Sequence, residues 1–352
     1  MDIAQIDKNF YIAPTVEREG LTYINIEDPR FTVDGVMHEE GGYVRMPSAV
    51  AKTVSERVFL MNTATAGGRV RFKSNSPYIA VFVKYRNVRK MSHFALTGCL
   101  GLDLFVREYG KEIYIDSFKP PYDTTDQYES VIDFKEERMR EFTINMSTYC
   151  SISEMYIGIK EGSKIAPARK YKCETPVVFY GSSITQGGCC SRPGNTYEAM
   201  LSRKLDFNYI NLGFSGSCKA EVEMAEYIAS LNMSVFVYDY DHNAIHVDDL
   251  EQTHERMFKI IRDKNPTLPI LMLSRPKYHL KKSEKRRVEI IRTTYQNAKD
   301  NGDENVYFIE GTKLMAPPFS EIGIVDYGHP NDAGFYSMSK TIAPVLKKIL
   351  SK

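Results

Sequence analysis

Val177-Val178-Phe179-Tyr180-Gly181-Ser182-Ser183-Ile184-Thr185-Gln186-Gly187 is the stretch whose reading decides the fold. Four consecutive apolar residues are short for a helix but long enough for a strand buried on both faces, and the small residues after them end the run abruptly. The expectation is a first parallel strand that passes into a helix through a tight turn. Such a turn delivers the hydroxyl of Ser183 to the carboxyl edge of a sheet, where backbone N–H groups at the helix start favour negative charge. Taken alone, the turn is equally compatible with a plain connection or a phosphate-binding loop.

Downstream, residues 209–214, 235–240, 269–273 and 306–309 repeat the short apolar run. Helical spacing lies between them, with Met257, Ile260 and Ile261 ahead of Asn265-Pro266, and Val288, Ile291 and Tyr295 ahead of Asn301-Gly302. A last helix is predicted from near Asp332 to Leu350, with a kink or break at Pro344. Strands alternating with helices over residues 171–352 predict an α/β unit, a flavodoxin-like doubly wound parallel sheet whose ligand site lies at the strand carboxyl ends.

Upstream the period changes to two. Val70 and Phe72, then Ile79, Val81 and Val83, then Leu102, Leu104 and Val106 alternate, and Tyr109-Gly110 offers a hairpin turn into Ile113 and Ile115. Phe142, Ile144 and Met146, and later Met155, Ile157 and Ile159, continue the pattern. Residues 1–170 therefore read as an antiparallel β-sandwich of jelly-roll kind, and the change of period near Lys170 sets the domain boundary.

Composition narrows the function. Apolar residues make up 43% and charged residues 26% of 352 positions, with a formal charge of +1, so a basic nucleic-acid binder and a disordered chain are both disfavoured. The one basic run, Lys281-Lys282-Ser283-Glu284-Lys285-Arg286-Arg287, precedes Val288, Ile290 and Ile291 and reads as a solvated helix face, with a phosphate patch as the alternative. No apolar stretch reaches the roughly 18 residues of a membrane span, and residues 1–11 carry no signal-peptide core. The chain reads as cytoplasmic, and secretion stays open should a leader precede it. Six cysteines without ligand spacing predict reduced thiols and no metal. A homo-oligomer is compatible with the sequence.

Three further loops fall at the same sheet edge as Ser183. Asn211-Leu212-Gly213-Phe214-Ser215-Gly216-Ser217 follows the second strand and offers a bare N–H at Gly216. Asp239-Tyr240-Asp241-His242-Asn243-Ala244 follows the third and offers the amide of Asn243, an uncharged donor suited to an oxyanion. Near the C-terminus, Asp326-Tyr327-Gly328-His329-Pro330 sets a carboxylate three residues before an imidazole, close enough for one to orient the other.

This set resembles the SGNH hydrolases, also called GDSL-type esterases and lipases, whose four blocks carry Ser, Gly, Asn and His in that order. Ser183, Gly216, Asn243 and His329 match them in order, and Asp326 with His329 matches the Asp-x-x-His block. The family usually has Asp before the nucleophile, where this chain has Ser182; that Asp is not the triad acid, so the substitution bears only on its local hydrogen bond. Gly101-Leu102-Asp103-Leu104-Phe105 resembles the Gly-x-Asp-Leu-Tyr motif of an N-terminal β-domain fused to some such esterases.

The resemblance implies Ser183 as nucleophile, His329 as base and Asp326 as orienting acid, with an oxyanion hole from the Ser183 and Gly216 N–H groups and the Asn243 side chain. It implies an ester substrate, a small molecule or oligosaccharide carrying a short acyl group such as acetyl, cleaved through an acyl-enzyme without cofactor. Acyl transfer to an alcohol, and a non-catalytic carbohydrate-binding protein on the same scaffold, are the alternatives. His242 and His246 match no block and read as surface or neighbouring residues. Cys189 and Cys190 follow the serine closely but lack an orienting partner at suitable spacing. Arg192 and Arg275 are candidates to meet a substrate carboxylate, against the commoner role of solvated arginines.

Overall fold

The computed structural model describes residues 3–7 and 11–351. The reading of residues 1–11 thus falls partly on positions outside the described residues. In the N-terminal half one antiparallel sheet runs in the order Leu21–Asn25, Ser151–Lys160, Tyr78–Asn87, Gln127–Asp133. A second runs Ile165–Pro167, Arg69–Ser74, Arg140–Asn145, Leu102–Glu108, Lys111–Phe118, with Thr32–Asp34 also paired to Arg69–Ser74. Alternation explains the arrangement, because successive strand residues face opposite sides. Val70, Phe72, Ile79, Val81, Leu104 and Phe142 all enter one core shared by both sheets.

The hairpin turn forms at Tyr109-Gly110 with both residues at positive φ, 49° and 77°, the two-residue geometry that matches strand twist. Ile113 and Ile115 do lie on a strand but face outward, 42% and 37% exposed. Alternation fixed the strand and left open which face was buried.

The C-terminal half is a parallel five-stranded sheet in the order Phe207–Gly213, Cys173–Gly181, Val235–Asp239, Ile270–Leu273, Val306–Ile309. This is the flavodoxin-like order, whose switch point lies beside the first strand. Both faces of the sheet are covered. Val177 and Phe179 join the core continuous with the antiparallel sheets, whereas Val178 and Tyr180 join the core under the other face. Helices Tyr197–Leu205 and Asp332–Leu350 supply residues to the first, and Val222–Ser230, Val247–Lys264 and Lys282–Asp300 to the second. The last helix runs through Pro344 without a break, and Asn331 caps its start by accepting the N–H groups of Ala333 and Gly334.

The two halves are stitched together. Helices Ser48–Val54 and Glu56–Asn62 belong to the N-terminal half, yet Ala51 and Val58 pack in the second core of the parallel sheet. Arg45 is buried and donates to the carbonyls of Asn211, Gly213 and Met61, so the carboxyl end of the second parallel strand is gripped from the N-terminal half. Burial pushes its guanidinium down to about 9, still charged at neutral pH. Among the described residues no helix is long and apolar enough to cross a membrane.

Candidate active site

Strand register decides which loops meet. Gly181 pairs with Gly213 on one side and with Asp239 on the other, so three carboxyl ends lie side by side. Ser183 comes two residues after the first, Gly216 three after the second and Asn243 four after the third. Ser183 opens the short helix Ser183–Gln186, and the Ser182 hydroxyl caps it by accepting the Ile184 N–H at 3.2 Å. Serine thus supplies an acceptor at the position where the resemblance led us to expect a carboxylate.

The turn is held from several sides. Tyr149 donates its hydroxyl to the Ser183 carbonyl at 3.4 Å, and Gln186 donates its amide to the Thr148 carbonyl at 3.2 Å. Thr185 donates to buried Asp239 at 2.9 Å. Gly188 donates its N–H to the Ser183 carbonyl at 2.7 Å. A Cβ at Gly188 would lie 2.9 Å from that carbonyl, 2.9 Å from the Tyr149 hydroxyl and 3.3 Å from the His329 ring, so only glycine fits between serine and imidazole.

His329 Nε2 lies 2.9 Å from Ser183 Oγ, across 146 positions of chain. Its Nδ1 lies 2.8 Å from Asp326 Oδ2. The other carboxylate oxygen accepts the N–H groups of Gly328 and His329, each at 2.8 Å. Partial burial would raise the Asp326 pKa, but these two N–H donors and the imidazole outweigh it and hold it down at about 2. A carboxylate that stays ionised keeps the Nδ1 proton in place and leaves Nε2 free to accept from a hydroxyl. This arrangement can make Ser183 a nucleophile.

Gly216 adopts φ +68°, where a side chain would be strained, and a Cβ there would meet nothing within 4 Å. Its glycine therefore answers a backbone requirement rather than a shortage of room. Asn243 accepts the Cys218 N–H through Oδ1 at 3.2 Å, which turns its amide nitrogen away from that contact as a donor. Both residues line one cleft of about 550 Å³.

The remaining candidates sort by their partners. Arg275 is not available as a clamp for substrate, because it pairs with buried Asp241 through two nitrogens, at 2.9 and 2.7 Å, and reaches Glu284 at 3.2 Å. Arg192 stacks on Tyr114 at 3.6 Å and lies 3.4 Å from Asp103. His246 precedes the helix Val247–Lys264 and gives its N–H to Asp249. His242 lines the cleft, and burial, then Arg275, pushes its imidazole down to about 4, so it is neutral at neutral pH. Cys189 and Cys190 are both buried, and burial raises both thiols, Cys189 to about 12, which makes them poor nucleophiles. The basic run is only partly a solvated face, since Arg287 is 7% exposed and donates to the carbonyls of Asp241, Ala244 and Ile245.

Two residues carry roles that no motif reading assigned them. Asp103, in the Gly-x-Asp-Leu segment, is fully buried and accepts Asn145 Nδ2 at 2.7 Å and the Gly194 N–H at 2.8 Å, tying the antiparallel half to the loop after the serine helix. His93 reaches the site from the N-terminal half, with Nε2 4.0 Å from Asp326 and its ring 5.8 Å from that of His329. A lone histidine in an aperiodic loop gives no sequence signal. One ligand atom from each of His93, Cys189 and His329 lies within 4.8 Å of the others, a set that could hold a soft divalent cation.

Comparison with known proteins follows the same division. Residues 174–347 match the GDSL-like lipase/acylhydrolase family, and residues 21–165 match the family described as the N-terminus of SGNH-hydrolase-type esterases. Among solved structures, a GDSL-like lipase from Bacteroides ovatus superposes with TM-score 0.85 and 27% identity over 94% of this chain and 98% of its own. The salicylyl-acyltransferase SsfX3 of a tetracycline biosynthetic pathway gives TM-score 0.74 at 17% identity, covering 95% and 98%. An acetyl xylan esterase, Est2A, from the rumen bacterium Butyrivibrio proteoclasticus gives 0.61 at 12%, covering 94% and 99%. No curated protein matches the sequence significantly.

Proposed function

Since the chain belongs to the GDSL-like lipase/acylhydrolase family of carboxylic ester hydrolases, we propose that it is a serine esterase that removes short acyl groups, acetyl foremost, from a carbohydrate or similarly hydroxylated small molecule. The observation that carries this reading is the continuous chain Ser183 Oγ, His329, Asp326, with links of 2.9 and 2.8 Å, at the sheet edge where the strands that lead to Gly216 and Asn243 also end. His329 takes the serine proton as Oγ attacks the ester carbonyl, and Asp326 stabilises the imidazolium that results. The Ser183 and Gly216 N–H groups and the Asn243 amide receive the developing oxyanion; removing one such donor typically costs about 3 kcal/mol of barrier stabilisation. His329 then gives its proton to the leaving alcohol, and water activated by the same imidazole releases the acid.

The cleft that carries Gly216 and Asn243 is lined mainly by Arg, Lys and His side chains, which suits a polar alcohol, and the smaller cleft at the Asp326 loop adds Pro276, Met315 and Ile324, an apolar wall short enough for a small acyl group. The carbohydrate reading draws support from the acetyl xylan esterase that shares the two-part architecture. We take residues 1–170 as a supporting unit and 171–352 as the catalytic unit, since the last strand of the antiparallel sheets ends at Pro167 and the first strand of the parallel sheet begins at Cys173. The test is acid release from 4-nitrophenyl acetate and from acetylated saccharides, with Ser183→Ala as control. A wild-type protein that releases no acid from any of them overturns the proposal, and product analysis with added sugar acceptors separates hydrolysis from acyl transfer.

A further inference from the structure

The cleft that contains Gly216 and Asn243 has a charge out of keeping with the rest of the chain. Five cations, Arg57, Lys219, Arg275, Lys281 and Arg287, line it against one carboxylate, Glu284. Two of the five are already matched, since Arg275 and Arg287 both face buried Asp241, at 2.7 and 3.4 Å. Glu284 is matched by Lys277 at 2.8 Å and by Arg275 at 3.2 Å. Arg57, Lys219 and Lys281 make no ion pair among the described residues, although the whole chain carries a formal charge of only +1. These three come from three separate parts of the chain: an N-terminal helix, the loop after Gly216, and the start of the helix Lys282–Asp300. Glu221 lies near Lys219, and Tyr327 and Glu284 near Lys281, but none of the three cations is closed into an ion pair among the described residues, so like charges gathered on one cleft favour an anion there.

Its position assigns the anion to the substrate. Tyr327, two residues before His329, lies on the same cleft with Lys277 Nζ 3.8 Å and Lys281 Nζ 5.0 Å from its ring centre. The unmatched charge therefore borders both the residues proposed for the oxyanion and the loop whose histidine would protonate the leaving alcohol. His242 adds a buried Nε2 with no hydrogen-bond partner to the wall of the same cleft. A buried polar atom without a partner is costly unless a ligand or water supplies one.

We propose that the cleft receives an oxyacid group, carboxylate, sulfate or phosphate, carried on the alcohol portion of the ester, so that the substrate is an acylated acidic sugar or a similar anionic alcohol. This deepens the esterase reading and rests on it. Arg57, Lys219 and Lys281 hold the anion as point charges, on the cleft that also carries Gly216 and Asn243.

The test compares kcat/KM of the full chain on acetylated methyl glucoside, its glucuronoside counterpart, and the corresponding 6-phosphate and 6-sulfate, at low and high NaCl. The expected result is an advantage of about tenfold for at least one anionic ester over the neutral one at low salt, shrinking as salt rises. Which ester gains most identifies the oxyacid. Lys281→Glu, at an exposed position where folding is not at stake, should cut the anionic-to-neutral ratio by about tenfold, and Lys219→Met should lower it in the same direction. Ratios near one for every anion, or ratios untouched by both substitutions, overturn the anion site. Release of 4-nitrophenol from its acetate, lost in Ser183→Ala, reports on the esterase reading by itself, so failure there is told apart from failure of the anion site.

Discussion

Replacing Asp326 by Asn tests the site more sharply than deleting it, because the structure fixes which way the new amide must point. Asp326 Oδ1 accepts two backbone N–H groups at 2.8 Å, and Oδ2 faces His329 Nδ1 at 2.8 Å. In Asp326→Asn the amide oxygen keeps the two backbone donors and the NH₂ group is turned to the imidazole. Turning the amide over would forfeit both backbone hydrogen bonds, about 1 kcal/mol each, and set donor against donor. Nδ1 must then accept, the ring proton moves to Nε2, and Nε2 donates to Ser183 Oγ instead of taking its proton. The expected loss is about a thousand- to ten-thousandfold in kcat, or about 4–5.5 kcal/mol of barrier, with the loop still folded. Ser183→Ala and His329→Ala should fall further, to near background, because the members act as a unit. The assay is kcat on 4-nitrophenyl acetate with thermal melting as the control for folding. A folded Asp326→Asn protein that keeps more than about a tenth of its kcat would refute tautomer control by Asp326.

Other consequences are equally specific. Gly188→Ala places a Cβ 2.9 Å from the Ser183 carbonyl and should displace serine from imidazole, costing about a hundredfold in kcat; full activity would show that the turn yields freely. Asp103→Ala strips the acceptor from Asn145 and from the Gly194 N–H, so unfolding free energy should fall by about 2–5 kcal/mol, and a Tm within about 1 °C of wild type would remove Asp103 as a tether. Burial holds His242 at about 4 and His254 at about 3, against 6.5 for an unburied imidazole. Between pH 6.5 and those values the unfolded chain takes up protons that the fold refuses, so Tm should drop from pH 7 to pH 5 and the drop should shrink in His254→Leu; an unaltered drop would exclude His254 as a source. Added Zn²⁺ should inhibit by engaging His93, Cys189 and His329, with relief by EDTA and weaker inhibition in His93→Ala; equal inhibition of both proteins would take His93 out of that site.

The C-terminal half was legible because its strands are buried on both faces. Val177 to Tyr180 and its later counterparts had to be continuous apolar runs, and the residues that end them had to be small or polar to form loops at the edge. The N-terminal half was legible only in part. Its sheets announced themselves by alternation, whereas helices Ser48–Val54 and Glu56–Asn62, seven residues each, did not, because helices that short are stable only through the core they pack against. The outward face of Ile113 and Ile115 was hidden for the same kind of reason, since period two names two faces and only tertiary contact chooses one.

Charge was the least legible property, and the reason lies in pairing at long range. Arg275 and Arg287 look like free cations in sequence, and their partner Asp241 stands 34 and 46 positions away. A buried pair of this kind adds little net stability, because desolvation of both ions offsets their attraction, but it fixes geometry strongly. Arg287 shows what that geometry is for. It donates to the carbonyls of Asp241 and Ala244, which flank His242 and Asn243, and to that of Ile245 next along, and so holds the loop that carries Asn243. Once those two arginines are accounted for as scaffold, Arg57, Lys219 and Lys281 stand out as the cations on the cleft that make no ion pair among the described residues. The same step that removes Arg275 as a substrate clamp is therefore the one that exposes the anion site.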